Sequence, residues 1–241
     1  MNKLFDTSIL RRENFMANYG NLQKIKDGKR TYGITPHIPG GFVLPETLIK
    51  IAEVAKKYNG VLKLTSGQRI LITNLKQEDL GNIWKDLDME PAVKNQNSVK
   101  NVEICPANFC KRSKYPTIGI GMKISKNFHG MILPNRTKIG VAGCRNACTS
   151  VYSKDIGVLV DIDGKFFITA GGSAGFYPRS SDIITKGLSE EEAYNLVRTI
   201  LDYYNEYGQM GEKLGDFIDR ISIEKFREDV LKISNLKEIL D

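Results

Sequence analysis

The chain has 241 residues, 41% of them hydrophobic, which suffices for one large core or two small ones and excludes a disulfide-stapled miniprotein. Lys and Arg number 35 against 28 Asp and Glu, a formal charge of +7 with a pI near 9.1, so the expected ligand or partner is anionic. No window approaches the roughly 18–20 apolar residues of a membrane span, and the opening MNKLFDTSILRRENF lacks a signal-peptide core. A cytoplasmic location and no membrane partner are expected.

In chain order, residues 10–25 are compatible with a helix, and a turn at DGKR leads into an alternating, strand-like RTYGITPHIPGG. Residues 45–58, with proline in the first turn, read as an amphipathic helix whose face carries Leu48, Ile51, Ala52 and Ala55. Two short β-rich runs, VLKLTS and RILITN, flank Gly67-Gln68, and a second helix is expected in QEDLGNIWKDL. The order β-α-β-β-α is most of a ferredoxin-like split unit. A polar stretch at 88–99 marks a boundary, giving expected domains 1–92 and 93–241.

The second half contains all four cysteines in two clips, ICPANFC and GCRNACTS. TKIGVAG reads as a strand running into the second clip, where Cys144 and Cys148, at i and i+4, would share one face of a helical turn. Two strands joined at Asp163-Gly164 follow, ending in the glycine-rich loop 171–175. Three helices close the chain, the first opened by a Ser/Glu capping box. The fold class is therefore α+β: a ferredoxin-like half-domain, then an α+β domain with a mixed sheet and C-terminal helices.

Paired cysteines in a reducing compartment indicate metal or redox chemistry rather than disulfides. Two short clips separated by 33 residues suit an iron-sulfur cluster or a structural zinc, although zinc knuckles favour a two-residue spacing that neither clip has. The basic residues are scattered and no nucleic-acid-binding motif is present, so a small anion or a polycarboxylate cofactor is expected rather than nucleic acid. No G-x-G-x-x-G follows a strand, so neither flavin nor nicotinamide binding is indicated.

The segment KIGVAGCRNACTSVYSKDIG resembles the signature of the siroheme-containing sulfite and nitrite reductases, and matching elements run in the family's order over residues 29–235. The resemblance implies a [4Fe-4S] cluster on Cys105, Cys110, Cys144 and Cys148, with Cys148 bridging to siroheme. It also implies a six-electron reduction of sulfite to sulfide, or of nitrite to ammonia, with electrons from an external donor such as ferredoxin. Arg136, Lys138, Lys100 and His37 match the family's basic residues around the oxyanion. Thr65, Gln68 and Arg69 match or adjoin its siroheme-contacting segment; Asn146 lies within the second clip, where its amide can support the cofactor, and Lys111 and Arg112, directly after Cys110, can pair with siroheme carboxylates.

Three departures accompany the likeness. CPANFC has four residues between its cysteines where relatives usually have five. Gly67 stands where the family's T-x-R-Q segment has arginine. The ferredoxin-like plus cluster unit occurs once instead of twice, which pairing with a second copy around a two-fold axis would compensate. The alternative function on the same fold is a non-catalytic electron-transfer or tetrapyrrole-handling protein.

Overall fold

The computed structural model describes residues 20–26 and 28–240, and contacts divide the chain into two units, after Lys94. In the first unit β1 (Asn21–Lys26) and β2 (Lys29–Ile34) form an antiparallel hairpin, with Gly28 at φ +72° in the turn. Helix α1 (Pro45–Lys57), β3 (Val61–Leu64), β4 (Ile70–Leu75) and α2 (Leu80–Leu87) follow, and the antiparallel sheet runs β1-β2-β4-β3. Its core joins Ile34, Ile70, Ile72 and Leu75 of the sheet to Ile51, Val54, Leu80, Ile83 and Trp84 of the helices.

Two sequence expectations change here. The described end of the helix-compatible stretch, from Asn21, is strand, because pairing with β2 satisfies its backbone groups where the sequence alone offered only local propensity; residues 10–19 lie outside the described residues. The buried stripe of α1 is Ile51, Val54 and Ala55, whereas Leu48 and Ala52 are exposed. The stripe follows the i, i+3, i+4 spacing that meets the sheet, and the predicted face was rotated away from it.

The second unit is built on a five-stranded mixed sheet, β5 (Val99–Ile104), β6 (Thr137–Ala142), β7 (Ile156–Val160), β8 (Phe166–Ala170) and β9 (Asp182–Leu188), in that spatial order. β5, β6 and β7 are parallel, and β8 and β9 return antiparallel. Helices α3 (Ile118–Phe128), α4 (Glu190–Tyr207), α5 (Leu214–Ile221) and α6 (Ile223–Ile233) complete it. Ser189 and Glu192 form the expected capping box on α4. The sequence reading did not anticipate β5, α3 or β9.

Alternation along the strands separates two faces. Val102, Ile104, Ile139, Val141, Ile156, Val158 and Ile168 enter the large core with α3 and α4. Their neighbours on the other face are Asn101, Glu103, Lys138, Gly140, Gly157 and Thr169, grading into a small cluster of Cys105, Ala142, Val151, Leu159 and Phe167.

The chain leaves β6, doubles back over this second face and enters β7 at Ile156, opposite Ile139. The Thr149 hydroxyl donates to the Val141 carbonyl at 3.2 Å. Gly140 and Gly157 leave room for the return: a Cβ on Gly157 would lie 2.3 Å from both Thr169 Oγ1 and Val151 Cγ1. Gly157→Ala should therefore cost about 1–3 kcal/mol through overpacking. Gly81→Ala, in open space on α2, should be neutral or stabilise by about 0.5–1 kcal/mol. Urea unfolding of both variants checks this, and equal stabilities would refute the packing argument.

Candidate metal and oxyanion site

The first clip starts where β5 ends. Cys105 is buried, its N–H donating to the Val141 carbonyl at 3.0 Å, and residues 107–109 make a 3-10 turn closed by Cys110 N–H to Ala107 O at 3.1 Å. This turn accommodates the four-residue spacing. Cys110 is exposed, as are Lys111 and Arg112 after it.

The second clip starts where β6 ends, and the two are stapled at Gly143. Gly143 N–H donates to Cys105 Sγ at 3.2 Å, while its carbonyl accepts from Lys114 N–H at 2.8 Å and the Ser113 hydroxyl at 3.2 Å. A Cβ on Gly143 would sit 2.1 Å from Ser113 Oγ and 2.7 Å from the Ala107 Cβ, so only glycine permits the approach. Burial pushes the Cys105 thiol up, against the N–H of Gly143, with Cys148 close enough for its charge to add to the shift.

Cys144 to Cys148 is not helical, contrary to the sequence expectation. Ala147 sits at φ +49°, and successive i to i+3 bonds, Ala147 N–H to Cys144 O and Ser150 N–H to Ala147 O, form a run of turns instead. Asn146 lies in this turn, and its amide donates to Cys148 Sγ at 3.0 Å. Amide donors on two of the four sulfurs suit thiolate ligands, whose charge such bonds stabilise. Among the described residues no three His, Cys, Asp or Glu side chains converge on one point as a single ion requires. Four cysteine sulfurs, two of them accepting amide hydrogen bonds, are a donor set that fits an iron-sulfur cluster.

Lys138 is partly exposed near the start of β6, whereas Arg136 lies one residue before the strand and is exposed. Burial lowers the Lys138 pKa most, followed by the charges of Lys154 and Arg136; Glu103 and Asp155 oppose them. Among the described residues its ammonium has no ion-pair partner. Lys100 sits at a β5 irregularity, where the register slips between Val99 and Asn101, so its direction does not follow simple alternation. Arg136 and Lys138 are thus close together, while Cys144 lies beyond the far end of β6, whose last residue, Ala142, is about 13 Å along the strand from Lys138.

The sequence reading missed Glu103, Lys154 and Asp155. Lys154 Nζ meets Glu103 Oε1 at 2.7 Å in a largely buried pair, and Asn101 Nδ2 donates to the same oxygen at 3.3 Å. Asp155 Oδ2 accepts the Lys138 backbone N–H at 2.8 Å. In the glycine loop, Gly171 N–H is committed to Asp155 O and Ser173 N–H to Arg179 O, so these two are not available to a cofactor carboxylate.

In the first unit, the Thr65 hydroxyl and N–H both bond to the Arg69 carbonyl, and Gln68 turns at φ +56°. A Cβ on Gly41, itself at φ +76°, would lie 2.8 Å from the Gln68 Cβ, so the loop after His37 packs on the turn holding Thr65, Gln68 and Arg69. His37 N–H donates to Glu90 O at 2.7 Å.

Comparison with known proteins places this geometry in a family. Residues 95–238 match the nitrite and sulphite reductase 4Fe-4S domain, and residues 23–90 the nitrite/sulfite reductase ferredoxin-like half domain. The chain is 30% identical over 205 residues to the assimilatory-type sulfite reductase of Nitratidesulfovibrio vulgaris, covering 84% of this chain and 94% of that protein. It is 32% identical over 207 residues to the NAD(P)H nitrite reductase of Bacillus subtilis, covering 85% of this chain but 25% of that one. The fold superposes on the Mycobacterium tuberculosis NirA protein with a TM-score of 0.78 at 13% identity, over 97% of this chain and 51% of that one. The chain belongs to the siroheme-dependent sulfite and nitrite reductases, a family of oxidoreductases whose cofactors are a 4Fe-4S cluster and siroheme. The family, the cofactors and the α+β fold agree with the sequence reading. No described helix is long and apolar enough to cross a membrane.

Burial raises the Asp155 carboxyl from its ordinary value to about 6, against the N–H donated by Lys138. Below pH of about 4 the proton is held in both folded and unfolded chains. As pH rises through about 6 the unfolded chain has already lost it, so this group's contribution to stability falls, by on the order of 3 kcal/mol in full. Asp155→Asn should therefore gain stability relative to the wild type between about pH 4 and 7. Urea midpoints measured across that range should diverge; parallel curves would sink the assignment.

Proposed function

We propose that this protein reduces sulfite by six electrons to sulfide, with nitrite as a second substrate, using electrons from an external donor such as ferredoxin. The observation that carries the reading is the stapling of the two cysteine clips at Gly143, on the same sheet face that bears a half-buried lysine with no carboxylate ion pair among the described residues. Sulfite is favoured because the relative matched over nearly its full length is a sulfite reductase, whereas the nitrite reductase of Bacillus subtilis is four times longer than the stretch it shares.

In this reading Cys105, Cys110, Cys144 and Cys148 would hold the cluster, and Cys148 would also serve siroheme. Bound together, these groups would deliver electrons singly to one anion. The chain's own residues do the rest. In the second unit Arg136, Lys138 and Lys100 would hold the oxyanion and stabilise the charge that builds as its oxygens leave; His37, in the first unit, matches a basic residue of the family. In the second unit Lys111 and Arg112 would neutralise siroheme carboxylates and Asn146 would support the cofactor; in the first unit Thr65, Gln68 and Arg69 match or adjoin the family's siroheme-contacting segment. The protein works in the cytoplasm and pairs with a second copy of itself.

Anaerobically purified protein from a siroheme-producing host should show siroheme absorption and cluster paramagnetic-resonance signals, and reduce sulfite with methyl viologen as donor. A cluster without siroheme would point instead to an electron-transfer protein. Cys148→Ser should abolish the magnetic coupling between cluster and siroheme; unchanged coupling would remove the bridging assignment. Lys138→Ala should lower kcat/KM for the anion about tenfold or more while leaving cofactor content intact, and equal loss of both would make Lys138 structural.

A further inference from the structure

Four charged groups, Lys154, Arg136, Glu103 and Asp155, act on Lys138, and the pairing among the five is unequal. Asn101, Glu103 and Lys138 share the second face of the sheet in parallel register, Asn101 beside Lys138 and Glu103 beside Gly140. Glu103 is thus the carboxylate on the neighbouring strand best placed to claim the Lys138 ammonium. It is claimed by Lys154 instead, at 2.7 Å, with both side chains about a tenth exposed or less. The path is visible at Gly140, where a Cβ would lie 3.1 Å from Lys154 Cγ. The lysine stem crosses β6 above the glycine and reaches Glu103 on β5. The other buried carboxylate, Asp155, is engaged by the Lys138 backbone N–H and not by its ammonium.

We propose that Glu103 and Lys154 are a positioning pair for the oxyanion site: Lys154 occupies Glu103, so that the Lys138 ammonium stays available to the incoming anion. The inference rests on the reductase reading for its substrate, but the pairing itself does not. The physical reason is competition. An anion displaces water from a lone half-buried ammonium, whereas it would have to break an ion pair to reach one already held by a carboxylate. Lys154 also adds its own positive charge to that of Arg136 beside the site.

The groups acting on Lys138 are Glu103 from β5, Lys154 and Asp155 from the segment entering β7, and Arg136 from just before β6, with Lys213 acting on Asp155. Removing Lys154 takes away one cation and releases one carboxylate, and both changes favour the charged form of Lys138.

The test uses the full-length protein with trace acetylation across pH, Lys138 being followed by peptide mass spectrometry, alongside steady-state kinetics with sulfite and nitrite. In Lys154→Met the Lys138 titration should move up by about one pH unit and KM for the anion should rise about tenfold, with kcat changing less. In the double variant Glu103→Gln/Lys154→Met, which buries no unpaired charge, both quantities should return toward wild type. If the single variant does not fold, Glu103→Gln alone should move the Lys138 titration downward. A Lys138 titration unchanged by these substitutions, or a double variant that behaves like Lys154→Met, would overturn the proposal. If the wild type reduces neither anion while the titrations move as expected, the pair stands and the reductase reading falls.

Discussion

The site depends on one steric constraint: the chain must turn back on the sheet it has just left. After β6 it folds over the sheet's second face and enters β7 beside the strand it came from. Gly140 and Gly157 permit the backbone and Val151 to lie against the strands, and Gly143 lets the start of the turn touch the first clip. A side chain at any of the three would lift the turn. The sulfur of Cys148, the crossing of Lys154 and the carboxylate of Asp155 all belong to this one segment, so their positions are set together.

Much of the fold was legible because patterns of period two and turn signals are local. The hairpin at Asp163-Gly164 and the α4 capping box at Ser189 and Glu192 appear as read. The cysteine clips were legible for another reason, since soft ligands in pairs have few structural uses. What failed was non-local. β1 is strand because β2 pairs with it, and Cys144 to Cys148 departs from helix because Ala147 takes a left-handed conformation that composition does not signal. Glu103 and Lys154, 51 residues apart, carry no motif; only the crossing above Gly140 brings them together.

The net charge of +7 suggested an anionic partner, yet total charge does not make a site. Lys123, Arg179, Arg220 and Lys225 are each bound to carboxylates on the surface and contribute little beyond those contacts. Lys138 differs because the two acidic groups nearest it are consumed elsewhere, Glu103 by a lysine and Asp155 by a backbone amide. On the proposed reading the fold would make an anion site less by adding cations than by removing the competitors of one.

The short first clip follows the same economy of space. The four residues between Cys105 and Cys110 are taken up by a 3-10 turn over 107–109, closed by the backbone bonds Ala107 N–H to Cys105 O, Phe109 N–H to Pro106 O and Cys110 N–H to Ala107 O. That turn puts Ala107, not a larger residue, against Gly143. The shortened spacing and the glycine of the second clip are therefore two halves of one contact. A longer loop between the first cysteines would have to bulge away from Gly143 or displace Ser113, whose hydroxyl holds the Gly143 carbonyl. The short first clip is thus accommodated where its Ala107 meets the Gly143 of the second.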